Sequence, residues 1–334
     1  PSVSAWSAWA LAKKVKLERV RHRGKVQLFV AAASNSWVTG FLAGKVYQGS
    51  TKQLCHPGLN CYSCPGALLS CPIGALQAVI GSRSFSLSLY VFGFLLVIGA
   101  ALGRMVCGFL CPFGWIQELL YKIPFPKKRN RFRADRPLRY LKYGMLLVLV
   151  ILLPMLLNNA AGEASPAFCK YVCPAGTLEA GIPLVYFSPD QAAAVSSGAP
   201  ALPGLPPVKL IAREGPRFET GALFVLKMSL LGLTLLSCLV IYRPFCKYVC
   251  PLGAAYALLN PVSLYRLRLD DSKCIHCGAC ERACLMCLDP VKQLNHPECV
   301  RCGDCVNACP TDALSMGFGA KRGETAPRPG KEPA

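Results

Sequence analysis

Twenty cysteines in 334 residues define the chemistry open to this chain. Eight of them form two runs of equal spacing, "CIHCGACERAC" (Cys274, Cys277, Cys280, Cys284) and "CVRCGDCVNACP" (Cys299, Cys302, Cys305, Cys309). Each run is C-x2-C-x2-C-x3-C. Thiolates this close suit an iron–sulfur cubane, in which every iron takes one soft sulfur ligand. In paired runs of this kind the fourth Cys of each crosses to the other site. One [4Fe–4S] site is therefore expected on Cys274, Cys277, Cys280 and Cys309, and the other on Cys299, Cys302, Cys305 and Cys284. Two zinc ions compete with this reading, because zinc also accepts four thiolates. The duplicated four-Cys run favours iron–sulfur. Leu285 stands where a proline would follow the first run, and the extra Cys287 reads as a plain thiol.

A second pattern is C-P-x-G, which begins at Cys71, Cys111, Cys173 and Cys250. Three copies have a Cys four residues earlier: Cys107, Cys169 and Cys246. Before Cys71 the nearest is Cys64, seven back. The heptamer "FCKYVCP" occurs twice, starting at Phe168 and at Phe245. Cysteines at i and i+4 share one face of a helix end. The proline suits the first turn of the next helix. That helix then points its free N–H groups at the thiolates and at any anion they hold. Arg104, Lys170, Arg243 and Lys247 flank these motifs. They read either as offsets to a cluster's negative charge or as interface anchors.

These motifs need elements to position them. The chain is 53% hydrophobic with a mean hydropathy of +0.38, typical of a membrane protein. Four apolar stretches read as membrane spans: Val26–Tyr47, Phe85–Val106, Tyr140–Ala161 and Gly221–Tyr242. The first is interrupted by Ser34, Asn35 and Ser36. The net charge of +20 concentrates beside the spans. Residues 13–25 hold seven Lys/Arg and one Glu, and residues 121–142 hold nine Lys/Arg and one Asp. The positive-inside rule places both in the cytoplasm, with both termini there as well. Such runs beside spans suit anionic lipid rather than nucleic acid. The expected location is the cytoplasmic membrane of a prokaryote. The order span, Cys motif, span, Cys motif then repeats, which reads as two parallel, pseudo-symmetric halves.

Topology sorts the remaining cysteines. Cys107, Cys111, Cys246 and Cys250 emerge on the cytoplasmic side, two from each half, and could complete one [4Fe–4S] site. Cys55, Cys61, Cys64, Cys71, Cys169 and Cys173 face outward. Either the first four of these hold a cluster alone, or Cys64, Cys71, Cys169 and Cys173 share one. Both remain open, and disulfides compete with either in that compartment. Cys238, inside the fourth span, reads as packing.

The C-x3-C-P motifs after spans, followed by "CIHCGACERACLMCLDPVKQLNHPECVRCGDCVNACPTDAL", resemble the polyferredoxin membrane family over roughly residues 26–315. That family includes quinol dehydrogenase membrane subunits of periplasmic nitrate reductase systems, the nitrous-oxide-reductase regulator and related cytochrome oxidase accessory proteins. The resemblance implies membrane electron transfer through [4Fe–4S] clusters, often with quinone. No C-x-x-C-H, intraspan His pair or G-x-G-x-x-G supports haem or a dinucleotide. Glu118, Glu179 and Lys227 lie near or in spans and could serve proton transfer, but packing or snorkelling is the expected account of each.

The expected fold is an all-α membrane protein of four transmembrane helices in two pseudo-symmetric halves, plus a small α+β two-cluster ferredoxin domain. Its segments are a basic cytoplasmic stretch (1–25), a first half with a Cys-rich outward loop and the third span (26–161), an outward loop with the fourth span and cytoplasmic motif (162–261), the ferredoxin domain (262–316) and a flexible tail (317–334). The Pro-rich stretch 198–216 reads as a linker. The expected function is electron transfer between a cytoplasmic redox partner and quinone or an outward-facing partner. The alternatives are an anchor and wiring subunit of a larger redox complex, or a metal-reducing assembly factor. The expected partners are other redox subunits or soluble electron carriers, with lipid and no nucleic acid.

Overall fold

A computed structural model of the chain describes residues 23–43, 45–81, 88–126, 128–156, 166–187 and 222–318. The stretches 1–22 and 198–216 and the tail from 319 lie outside the described residues.

The protein is mostly helical. Residues 135–156 (Asp135–Leu156) and Ala222–Val240 are each long and apolar enough to cross a membrane. At 1.5 Å per residue each spans about 30 Å. The helix Ser88–Leu102 is apolar but shorter, at 15 residues. It stops at Gly103, whose φ of +57° places it in the left-handed region that glycine tolerates best. Large apolar side chains on these helices face out of the protein: Leu89 is 79% exposed, Leu233 66% and Leu236 65%. Such a belt has no partner among the described residues.

The first expected span is not one helix. Residues 23–34 are helical, the chain turns at Asn35, and a short helix Val38–Ala43 follows. The break has local causes. Ser34 Oγ donates back to the Val30 carbonyl (2.7 Å) and Asn35 Nδ2 to that of Ala31 (3.0 Å). The freed backbone then pairs with the Cys-rich loop, through Leu68 N–H to Ser34 O (3.0 Å) and Trp37 N–H to Gly66 O (3.2 Å).

That loop does not remain outside the protein. His56, Leu59 and Asn60 are all buried, and a Cβ on Gly58 would lie 2.8 Å from the Cys111 Cα. The helix over residues 23–34 joins the two regions. Arg23 at its start meets the ferredoxin module at Cys302 and Asp304, and its end meets the Cys-rich loop. Twelve residues of helix measure about 18 Å. The two regions are therefore closer than a hydrocarbon core is thick.

The ferredoxin module is closed by two antiparallel strands, β1 (Tyr265–Leu269) and β2 (Leu314–Phe318), registered Tyr265 to Phe318 and Leu269 to Leu314. β2 runs two residues into the segment expected as tail. Between the strands lie two short helices, Ala279–Ala283 and Asp304–Ala308.

Candidate metal centres

The two Cys runs of the module fold alike. Each turns through left-handed residues at equivalent places: His276 and Gly278 in one, Arg301 and Gly303 in the other. Three residues beyond each fourth Cys, Cys287 and Asp312 also take positive φ. Cys287 thus fills a turn position, with its thiol on the Asn130 carbonyl (3.3 Å), and lines neither Cys cavity. One cavity is lined by Cys274, Cys277, Cys280 and Cys309. The other is lined by Cys284, Cys299, Cys302 and Cys305. The helices Ala279–Ala283 and Asp304–Ala308 each end at the Cys that crosses to the neighbouring cavity.

The C-P-x-G motifs share one local structure. In each, the Cys is the N-cap of a helix that begins at the proline: Pro72–Ile80, Pro112–Lys122, Pro174–Gly176 and Pro251–Leu259. The glycine N–H donates to the capping sulfur, at 3.3 Å for Gly114 to Cys111, 3.4 Å for Gly176 to Cys173 and 3.4 Å for Gly253 to Cys250. Cys71 caps its helix without such a bond. A capping thiolate is stabilised there by the free N–H groups of the first turn. The glycine also keeps space open. A Cβ on Gly114 would meet the Cys107 carbonyl at 3.2 Å and Arg243 Nη1 at 3.3 Å.

Cys107, Cys111, Cys246 and Cys250 are buried together, and each lies within electrostatic reach of the other three. Their surroundings are reciprocal. Arg104 Nη2 donates to the Cys246 carbonyl (3.2 Å), and Arg243 Nη1 donates to that of Cys107. Gln117 Nε2 donates to Cys246 Sγ (3.1 Å) while its Oε1 accepts the Phe245 N–H (3.2 Å). Burial pushes the thiols of Cys111, Cys246 and Cys250 up. Four such sulfurs become thiolates together only against strong positive charge.

That charge is present. Glu118 is shared by Arg23 and Arg243 (3.0 Å to the latter), and Glu298 by Arg104 (2.7 Å) and Lys142. Asp135 is shared by Arg139 (2.5 Å) and Lys247. Three carboxylates thus serve six cations, with Arg23 also reaching Asp304 (3.4 Å). Arg104 and Arg243 are wholly buried, and the Nε atom of each has no hydrogen-bond partner among the described residues. Burial alone would raise the Glu118 carboxyl, but Arg243, Arg23 and the Tyr242 hydroxyl hold it below its usual range. Against the same opposition, Arg104 and Lys142 hold Glu298 at about 2. An excess of buried cations is costly unless an anion completes the site. These residues fit an anionic [4Fe–4S] cluster. Among the described residues no three His, Cys, Asp or Glu side chains converge tightly enough for a single metal ion. A cubane spreads its four sulfur ligands over four irons, and so sets them further apart.

The sequence pointed to Arg104 and Arg243 but missed the sharing of Glu118, Glu298 and Asp135. Glu118 is not merely packed, because it clamps two cations and Tyr242. Lys227 does not simply extend to an interface; it lines a cavity with Cys61, Cys71, Cys169 and Cys173. Glu179 is buried beside that cavity. It accepts the Cys61 N–H (2.7 Å), and burial raises it to about 7. Cys55 and Cys64 are buried outside the cavity, with Cys64 Sγ against Asn35 (3.6 Å). Of the four cysteines of the loop 55–71, Cys61 and Cys71 line this cavity and Cys55 and Cys64 do not. Cys238 packs inside the helix Ala222–Val240.

Comparison with known proteins agrees with these motifs. A family model described as a 4Fe-4S binding domain matches residues 85–132, 143–182 and 222–269, and a second model of that description matches residues 293–315. An uncharacterized protein of Methanocaldococcus jannaschii is 26% identical over 260 residues, covering 75% of this chain and 88% of its own length. A second uncharacterized protein of that organism is 25% identical over 57% of this chain, and the match spans 55% of its length. The methylamine utilization ferredoxin-type protein MauN of Methylobacillus flagellatus is 26% identical over 70% of this chain and 67% of its own. No solved structure matches. The chain carries 4Fe-4S binding domains of two kinds, and its likeness to MauN is consistent with a polyferredoxin-type family.

Proposed function

We propose that this chain is a membrane-bound electron-transfer protein working between a cytoplasmic redox partner and a quinone or outward-facing partner. Cys274, Cys277, Cys280 and Cys309 would hold one [4Fe–4S] cluster, Cys284, Cys299, Cys302 and Cys305 a second, and Cys107, Cys111, Cys246 and Cys250 a third. Bound clusters supply one-electron chemistry, tuned by hydrogen bonds to sulfur and by local charge. The chain's own residues do the rest. The glycine N–H groups and Gln117 address the sulfurs, the shared cations offset negative charge, and burial keeps water out.

One observation carries this proposal. Gly108, beside Cys107, lies directly against the second ferredoxin run. A Cβ there would stand 2.6 Å from the Val300 carbonyl and 4.0 Å from the Cys302 Cα. Gln27 seals the same junction by donating to the Gly108 carbonyl (2.8 Å). Tunnelling falls off exponentially with distance, so such contact suits transfer between the two regions. The apolar belt on Ser88–Leu102, Asp135–Leu156 and Ala222–Val240 supports insertion in lipid, where four spans would include the broken first segment. Reconstituting the full chain in vesicles and supplying a reduced low-potential donor tests the function. A membrane quinone analogue should be reduced at the rate of donor oxidation. Donor oxidation without any transfer to quinone or to an outward acceptor would contradict the proposal.

A further inference from the structure

We infer that Cys61, Cys71, Cys169 and Cys173 form a fourth metal site, at the outer end of the protein, that holds its own [4Fe–4S] cluster. This rests on the iron–sulfur function proposed for the other three sites. The four cysteines line one cavity. Each lies within electrostatic reach of the other three, as in the inner site. A Cβ on Gly176 would sit 3.6 Å from Cys61 Sγ and 3.8 Å from Cys173 Sγ, so Cys61 faces the same space as the motif cysteine.

The site repeats the inner one in detail. Gln77 Nε2 donates to Cys169 Sγ (3.3 Å) while its Oε1 accepts the Phe168 N–H (2.9 Å). These are the bonds that Gln117 makes to Cys246 and Phe245. Both glutamines are wholly buried and lie six residues after their Cys, in "CPIGALQ" and "CPFGWIQ". Each pairs with one copy of "FCKYVCP". With its oxygen fixed by a backbone N–H, each amide can present only its NH2 group to sulfur. The two sites also share a wall. The backbones of the consecutive residues Leu59 and Asn60 face Cys111 and Cys71 respectively. With neighbouring residues facing one sulfur each, these sulfurs lie on the order of 10 Å apart. A cluster at the outer site would thus neighbour the inner one across a single peptide unit.

Iron content and low-temperature EPR of the anaerobically purified full chain, wild type and variants, test this. Wild type should hold about sixteen irons, four for each of four clusters. Cys61→Ser should lose about four of them and one signal, with the ferredoxin signals intact. Cys64→Ser and Cys55→Ser should keep all the iron. Gln77→Glu keeps the four thiols and the acceptor oxygen but removes the donor, so one midpoint should move to lower potential. About twelve irons in wild type would overturn this inference and leave the inner site standing; about eight would remove the inner site as well. Full iron retention in Cys61→Ser, equal loss in Cys64→Ser, or unmoved midpoints in Gln77→Glu would each overturn it. If Cys61→Ser loses the ferredoxin signals too, the Gln77→Glu midpoint decides.

Discussion

The inner and outer cysteine sites share a frame and differ in charge. Both use a capping Cys, a glycine N–H, a buried glutamine and one copy of the heptamer. At the inner site the residue three before each leading Cys is a buried arginine, Arg104 or Arg243. Three before Cys169 it is Pro166. The outer cavity instead has Lys170 and Lys227 at its lining and the buried Glu179 beside Cys61. The duplicated residues place the sulfurs, while the residues that are not duplicated set the field around them. Positive charge favours the more negative, reduced form of a cluster, so the inner site should have the higher potential.

The largest effect on this contrast should come from the cation clamp. Glu118→Gln leaves Arg23 and Arg243 without their shared carboxylate in a buried setting. It should cost about 3–5 kcal/mol of stability, read as a lowered denaturant midpoint of the detergent-solubilised protein. The corresponding change at the outer site, Glu179→Gln, removes no ion-pair partner of a buried arginine and should cost clearly less. Equal losses would erase the distinction.

A smaller effect is expected at the junction with the ferredoxin module. Gly108→Val would drive its side chain into the Val300 carbonyl, only 2.6 Å from a Cβ position. Overpacking of this kind costs about 1–3 kcal/mol. The module should shift away and electron arrival at the inner site should slow, in a rapid-mixing measurement, without loss of iron. An unchanged rate would mean that this contact does not set the path.

The smallest effect is a pair of potential shifts. Gln117→Glu should lower the midpoint of the inner signal alone, just as Gln77→Glu should lower the outer one alone. Redox titration followed by EPR separates them. If either variant moved both midpoints, or neither, the two glutamines would not be equivalent parts of separate sites.

Much of the ferredoxin module was legible in the sequence. Eight cysteines in two equal runs dictate the spacing, and the crossing of Cys284 and Cys309 follows from each ending a short helix. The capping role of C-P-x-G was legible too, because proline at the first helical position and a cap before it are local rules. The shared carboxylates were not, since Glu118 and Arg243 are joined only by tertiary packing. That Cys61 rather than Cys64 lines the outer cavity was also hidden. It depends on a loop without periodicity that folds back until Leu59 and Asn60 are buried. The glutamines could have been found, because the seven-residue frame C-P-x-G-x-x-Q occurs twice with a heptamer to match each copy. Ser34 and Asn35 marked the weakness of the first span, and the helix breaks there because both side chains bond back to its carbonyls.

In the proposed arrangement, cysteines from both halves of the chain meet in one cluster site against the ferredoxin module. Iron content and Mössbauer spectra of Cys246→Ser, beside Cys238→Ser as a control, test it most directly. Cys246→Ser should lose about four irons per chain and quinone-linked electron transfer while keeping the ferredoxin clusters, and Cys238→Ser should change neither. Unchanged iron and unchanged electron transfer in Cys246→Ser would contradict it, and would make the paired C-x3-C-P motifs structural helix ends.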